Sequence, residues 1–306
     1  MNILHIGLCV DGKNEGLPFA FQEASDEYKE ISTGDKNLEN SILSLGNYYK
    51  FDLAFFQIQS PNIISNTIFN WLKSKGIFTI NWCGDIRVGT PEWYFNTGAN
   101  LTLFSNTRDI ENLRLRGLKA DFLQIGIDPK VYKKWTSNES GNDIVYMGNN
   151  YRNQFPEGQN RINMIQFLQS RFRNKFSLFG NGWNGSSGEN NADQVKQSKI
   201  YNNSKIGINF SQFNEDRYTS DRLFRILGSG CFCLSHHYKG IEKDFETGKH
   251  LDTFKNLQEL ETKIHFYLEN EDKRNQIAEN GYNYCHNNFT YKSMVENLLK
   301  LYQKYS

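Results

Sequence analysis

Three arginines, Arg217, Arg222 and Arg225, fall in one short segment, RYTSDRLFR, which runs directly into the apolar stretch ILGSGCFCL. Guanidinium forks pair bidentately with phosphate oxygens. A helix amino terminus adds unpaired N–H groups and the positive end of its dipole, so this arrangement is suited to holding a diphosphate. The same arginines could form structural ion pairs, which are common and weak when exposed. Other reactive groups follow apolar runs. Gly148, Asn149 and Asn150 come straight after DIVYM, where a small turn lets backbone approach a phosphate or sugar, or simply ends a strand. Asp85 follows FTINW within WCGDIR, and Asp11 follows the first apolar run within VDGK. A carboxylate at a strand end can take a proton from a hydroxyl when partly desolvated. Asp85 could equally pair with Arg87, and Asp11 could be an ordinary Asp-Gly turn residue. His236 and His237 are adjacent after a strand, so their side chains diverge and cannot share one metal. His237 and its neighbour could instead meet phosphate or base, or be surface and core histidines.

Short strands and helices must position these groups. From Ser220 the apolar residues Leu223, Phe224, Ile226 and Leu227 form a helical stripe, with Ser220 or Asp221 able to cap its start. Gly228 and Gly230 stop that helix, and CFCL reads as a strand buried on both faces of a parallel sheet. Upstream, ILHIG (3 to 7) is a first buried strand, followed by a loop to Pro18 and a helix over 19 to 28. FDLAFFQI, SNTIFNWLKSKG, FTINW, NLTLFS and DFLQIG then alternate strand and helix signals. The polar connection at 133 to 142 marks a division into domains 1–138 and 139–290. After it DIVYMG, a helix over 161 to 172, KFSLFG, KIGINF, the helix from Asp221 and CFCLS form a second alternating set. Both sets predict Rossmann-like, doubly wound α/β domains. A last helix over 291 to 305 carries Met294, Val295, Leu298, Leu301, Tyr302 and Tyr305 on one stripe, and must cover an apolar surface on either domain.

Composition narrows the function classes. The 306 residues carry 35 Lys plus Arg against 34 Asp plus Glu, so nucleic acid is possible as a partner but is not implied by net charge. Arg152, Arg161, Arg171, Arg173 and Lys175 against Glu157 could line an acceptor path, or be a solvated face. The amino-terminal run is about one strand long, and no segment reaches membrane-spanning length. Five cysteines without Cys-x-x-Cys spacing predict a reducing, cytoplasmic setting and no structural zinc. GNGWNG (180 to 185) matches G-x-G-x-x-G, but SSGENN follows where that motif needs an apolar helix.

The helix, glycine, strand and GIE loop over 220 to 245 resemble the GT-B glycosyltransferases, specifically the CgeB-like (spore-maturation-type) group. So do the tail ELETKIHFYLENEDKRNQIAENGYNYCHNNFTYKSMVENLL and the segments DIVYMGNNY, KFSLFGNGW and INWCGDIR. The resemblance covers most of residues 80 to 300. It implies two Rossmann-like domains facing a cleft, with the last helix crossing back to the first domain. It also implies sugar transfer, hexosyl or pentosyl, from a nucleotide-sugar donor to a hydroxyl on a glycan, a protein or a hydroxylated nucleic-acid base. The acceptor-side domain would supply the base, Asp85 or its rival Asp11. Arg222, Arg225, Arg217, Ser220, His237, Gly148, Asn149 and Asn150 would hold the donor. Related retaining transferases carry Glu-x7-Glu where this chain has Arg217 and Arg225, so Glu242 in YKGIEKDF becomes the candidate for the ribose hydroxyls. Asp-x-Asp is absent, and neither a metal nor a further cofactor is expected. An epimerase or hydrolase on the same fold, or a non-catalytic binding protein, are the alternatives.

Overall fold

Short apolar runs alternating with amphipathic segments build two parallel sheets, each flanked by its own helices. The computed structural model describes residues 1–8, 16–86, 98–136, 141–186, 188 and 193–306. It divides into two compact units, Met1–Gly126 with Tyr291–Ser306, and Ile127–Thr290. The passage between them lies ahead of the polar stretch at 133 to 142. Ile127 and Tyr132 are buried within the second unit, where the Ile127 N–H donates to the Phe289 carbonyl at 2.8 Å. Among the described residues no helix is long and apolar enough to cross a membrane.

The first unit holds β1 (Asn2–Gly7), α1 (Gly16–Glu23), β2 (Glu27–Ser32), α2 (Leu38–Tyr48), β3 (Leu53–Phe56), α3 (Asn66–Ser74) and β4 (Phe78–Cys83). β5 (Leu101–Phe104), α4 (Thr107–Leu115) and β6 (Ala120–Phe122) complete its sheet. The strand order is β2-β1-β3-β4-β5-β6, with every pairing parallel. The central strands read as unbroken apolar runs because helices cover both faces: β3 and β5 are buried at every position. The helix expected over 19 to 28 stops at Glu23 instead, and EYKEIS becomes the edge strand β2. Its charged side chains suit an edge, and its backbone finds partners all along β1, from Asn2↔Glu27 to Gly7↔Ser32.

His5 is buried in β1, between the rings of Phe21, Tyr28 and Phe55. Its Nε2–H donates to Gln57 Oε1 at 3.1 Å, which leaves Nδ1 to accept from the Tyr28 hydroxyl at 2.9 Å. Burial, opposed by the Glu30 charge and the Gln57 hydrogen bond, lowers its pKa from 6.5 to about 4. The unfolded chain therefore binds a proton in a range where the folded one does not. His5's contribution is fully present above pH 6.5 and is lost as pH falls towards about 4, at up to ~1.4 kcal/mol per pH unit. Denaturant titrations of the wild type and His5→Gln from neutral to acid pH will show this slope as the difference between their profiles. Parallel profiles would remove His5 as its source.

The second unit contains β7 (Ile144–Met147), α5 (Gly158–Phe172), β8 (Phe176–Phe179), α6 (Gln194–Asn202), β9 (Ile206–Asn209), α7 (Asp221–Gly228) and β10 (Phe232–His236). β11 (Asp252–Phe254), α8 (Leu257–Glu269) and α9 (Glu271–Asn288) follow. Its strands run β11-β10-β9-β7-β8, again all parallel. CFCL supplies most of β10, and Cys231, Cys233 and Cys285 are free, buried thiols. Burial raises all three thiol pKa values, Cys231 to about 12, so they behave as small hydrophobes. The final helix, α10 (Tyr291–Tyr305), belongs to the first unit: Met294, Val295 and Leu298 are buried with Leu17, Ala20 and Phe21 of α1.

Candidate functional site

Strand order points to a candidate site in the second unit. From β7 the chain moves outward to β8, then returns to β9 on the other side and continues to β10 and β11. The loops leaving β7 and β9 therefore diverge, which makes the carboxyl ends of these two strands the candidate crevice, since doubly wound sheets bind ligands at such a switch point. Arg222, in the first turn of α7, reaches into this crevice. Its Nε donates to the Met147 carbonyl at the end of β7, and Nη1 donates to the Phe210 carbonyl just past β9 at 3.0 Å. The guanidinium lies over the Tyr146 ring, 4.7 Å from its centroid.

A buried hydroxyl and amide network fixes the start of α7. Asn209 Nδ2 donates to Ser235 Oγ at 3.0 Å and Thr219 Oγ1 at 3.2 Å, tying β9, β10 and the approach to the helix together. Ser220 is the N-cap residue, but its hydroxyl makes no capping bond. That hydroxyl instead donates to Asn209 Oδ1 at 3.3 Å, and the Ser220 N–H donates to Ser211 Oγ at 3.0 Å. The expected side-chain cap from Ser220 is thus exchanged for tertiary hydrogen bonds.

Arg161 of α5 is 2% exposed, and joins Arg222 at Tyr146. Its Nε and Nη2 donate to the Tyr146 hydroxyl at 3.0 and 2.7 Å, and Nη2 also donates to the Asn149 carbonyl at 2.9 Å. Burial pushes the Tyr146 phenol up, but the charges of Arg222 and Arg161 and the Arg161 hydrogen bond outweigh it and hold the group below its ordinary value. Neither guanidinium has a carboxylate within ion-pair distance among the described residues, so two positive charges converge among a phenol, the Ser220 hydroxyl and backbone carbonyls. Burying such charges is costly unless an anion meets them. By sequence, Arg161 falls in a basic cluster that reads as a surface. The signal for its burial is its place on the apolar stripe of Met164, Ile165 and Leu168.

The loop over this pair is built by close approach. A Cβ at Gly148 would overlap Arg222 Nη2, so only glycine lets the guanidinium lie there. Gly180, at φ 143°, faces the Gly148 carbonyl in the same way. Asn149 Oδ1 accepts from the Asn181 N–H at 3.0 Å, and Asn150 Nδ2 donates to the Gly182 carbonyl at 3.1 Å. Trp183 Nε1 donates to the Gly148 carbonyl at 2.6 Å. GNGWNG thus serves as a turn that braces the β7 loop, and the helix after it starts only at Gln194.

The other expected donor residues occupy different surroundings. Arg217 makes a two-pronged pair with the buried Asp244, at 3.1 and 2.5 Å, and so locks the loop after β9 to the loop after β10. Arg225 pairs with Asp221 at 2.5 Å and donates to Gln197 Oε1 at 3.1 Å. Glu242 is exposed on a single 3-10 turn, Ile241–Lys243. His236 stacks on Phe210 with centroids 4.1 Å apart, and burial lowers its pKa against the pull of Glu157. His237 is partly exposed, and its backbone N–H donates to the Phe254 carbonyl at 2.8 Å. Of the expected group, Arg222, Ser220, Gly148 and Asn149 come together around the crevice.

In the first unit, Asp85 stands just past β4, partly exposed, with its Oδ1 accepting from the Ile86 N–H at 2.9 Å. Gly84 before it is required by Trp82, whose ring would overlap a Cβ there, and its carbonyl accepts from Ser105 Oγ at 3.0 Å. Asp11 and Arg87 lie outside the described residues. The basic run over 152 to 175 does not form one surface: Arg161 is buried, while Arg171 pairs with Glu261 of α8 at 2.5 Å. Among the described residues no three His, Cys, Asp or Glu side chains group as metal ligands.

Residues 160–300 match a family model described as glycosyl transferase-like. No curated protein sequence matches the chain. Solved structures align over nearly the whole length. A glycosyltransferase from Rickettsia africae is 13% identical, with a TM-score of 0.66, covering 99% of this chain and 98% of its own. The Anabaena protein HepE, in complex with UDP and glucose, is 11% identical, with a TM-score of 0.62 and 99% of both chains covered. A sucrose-phosphate synthase from Thermosynechococcus elongatus is 10% identical, with a TM-score of 0.61, covering 99% of this chain and 98% of its own. The two Rossmann-like units thus have the fold of the GT-B glycosyltransferases, and the glycosyl transferase-like match covers most of the second unit and part of α10.

Proposed function

We propose that this chain is a glycosyltransferase that takes its sugar from a nucleotide-sugar, with UDP-sugars the first donors to test, and places it on a hydroxyl acceptor. The observation that carries this reading is the pair Arg222 and Arg161, two guanidiniums without carboxylate partners among the described residues, at the strand-order switch beside Gly148. As the bond from the anomeric carbon to the diphosphate oxygen breaks, negative charge grows on the leaving group. Fixed cations there stabilise the transition state more than the ground state. They also fill the charge-neutralising role that a divalent ion fills elsewhere, so the reaction is expected to persist in a chelator. The acceptor oxygen attacks the anomeric carbon while Asp85 takes its proton, which inverts the configuration at that carbon. The UDP complexes of HepE support the choice of nucleotide.

A thermal-shift panel of UDP, GDP, ADP, CDP and dTDP without added metal tests the reading. A nucleotide present at a hundredfold its Kd stabilises the folded state by about 2.7 kcal/mol, a rise of several degrees in apparent Tm. UDP is expected to give that rise. No shift with any of the five would count against a donor site.

A further inference from the structure

Where α4 ends and the chain turns into the edge strand β6, the residues Arg114, Leu115, Arg116, Gly117, Leu118 and Lys119 are all exposed. Leu115 is 85% exposed and Leu118 37%. Gly117, at φ 76°, makes the turn between them, and nothing lies within 4 Å of where its Cβ would be, so this tip stands clear of the unit that carries it. Its base is held firmly. Arg114 Nε donates to the Ala120 carbonyl at 2.9 Å, and Lys119 Nζ donates to the Tyr305 carbonyl at 3.4 Å. Asp121 is shared between Arg114, at 3.5 Å, and Lys304, at 2.9 Å, and its side chain is 19% exposed. Among the described residues the tip thus carries four exposed cations, Arg114, Arg116, Lys119 and Lys304, against Asp121, which two of them share. Glu111, a turn earlier on α4, is the nearest exposed acid along the helix.

We propose that this tip is a peripheral contact for membranes rich in anionic phospholipid. The two leucines enter the boundary between headgroups and acyl chains, and the flanking cations meet lipid phosphates. The pattern favours a bilayer over other polyanions. A nucleic-acid backbone would engage the cations but leave both leucines in water, whereas a bilayer is anionic at its face and apolar just beneath. Long basic side chains can reach up to the headgroups while their stems lie along the apolar layer. Such a contact would hold the first unit against a surface without any spanning helix.

Co-sedimentation of the full chain with vesicles tests the proposal. One set of vesicles is phosphatidylcholine alone, and the other adds phosphatidylglycerol. The chain is expected to partition onto the anionic vesicles, to do so less as salt rises, and to leave the neutral ones largely free. Leu115→Ser with Leu118→Ser should cut that partition roughly tenfold or more, as should Arg116→Glu with Lys119→Glu. All four positions are exposed, and unchanged circular dichroism is required of each variant before its partition is compared. Phe266→Ser, an exposed apolar position in the second unit, should change nothing. Equal sedimentation with both vesicle types, or full partition of the double-leucine variant, would overturn the proposal. So would concentration-dependent dimerisation that the leucine variant abolishes without any vesicle binding, since the tip would then join two copies of the chain.

Discussion

Replacing Asp85 by asparagine is expected to lower turnover at least ~100-fold while nucleotide affinity stays within about twofold. The substitution preserves shape. In Asp85→Asn the amide oxygen takes the place of the carboxylate oxygen, so the bond from the Ile86 N–H can persist, and Gly84 and Trp82 keep their packing. What disappears is the ability to accept a proton from the attacking hydroxyl. General-base removal costs ~10²–10⁴ in rate, because the nucleophile must then lose its proton to water. Initial rates with saturating donor, together with calorimetric titration of the nucleotide, separate the two effects. Full turnover in Asp85→Asn would remove this residue from the role. A fall in affinity equal to the fall in rate would make it a binding residue.

The second large effect is expected at Arg222. Arg222→Met should weaken binding of the nucleoside diphosphate roughly 100-fold, because a charge-assisted phosphate contact in a partly desolvated crevice is worth about 2–3 kcal/mol. The variant also loses hydrogen bonds to the carbonyls of Met147 and Phe210, so a stability loss of about 1–3 kcal/mol accompanies it. Arg225→Met supplies the comparison. That side chain stands one helical turn away on α7, with its fork engaged by Asp221 and Gln197, and its loss should change affinity by less than about threefold. Calorimetry on both variants under conditions where each is folded distinguishes lost phosphate contact from a loosened helix. Unchanged affinity in Arg222→Met would contradict the phosphate assignment. Equal losses in the two variants would point to α7 as a whole.

Much of the architecture is legible in local pattern. ILHIG, FTINW, DIVYM, KIGINF and CFCL are apolar runs bounded by turn residues, and each is a parallel strand. The stripe of Leu223, Phe224, Ile226 and Leu227 between Ser220 and Gly228 is α7, and the stripe from Met294 is in α10. Mixed patterns are less informative. EYKEIS alternates charge with Tyr and Ile, and is a strand only because β1 offers it a backbone edge. The segment from 259 to 299, which resembles its family as one piece, breaks at Asn270 into α8 and α9 before α10 begins.

The candidate site is legible in its residue types and not in its pairings. Arg217, Arg222 and Arg225 look alike in sequence, being arginines around one helix start. Their surroundings separate them: Arg217 meets Asp244 and Arg225 meets Asp221, whereas Arg222 meets carbonyls, a serine hydroxyl and an aromatic face. Sequence by itself determined the apolar central strands, the helices with a clear apolar stripe and the glycines at their ends, because hydrophobic period and turn chemistry act between near neighbours in the chain. Tertiary structure alone decided which cations converge on Tyr146, that Arg161 is among them, and that α10 seats on α1. Charge compensation and burial are settled by groups far apart in sequence, which only the completed packing brings within reach of one another.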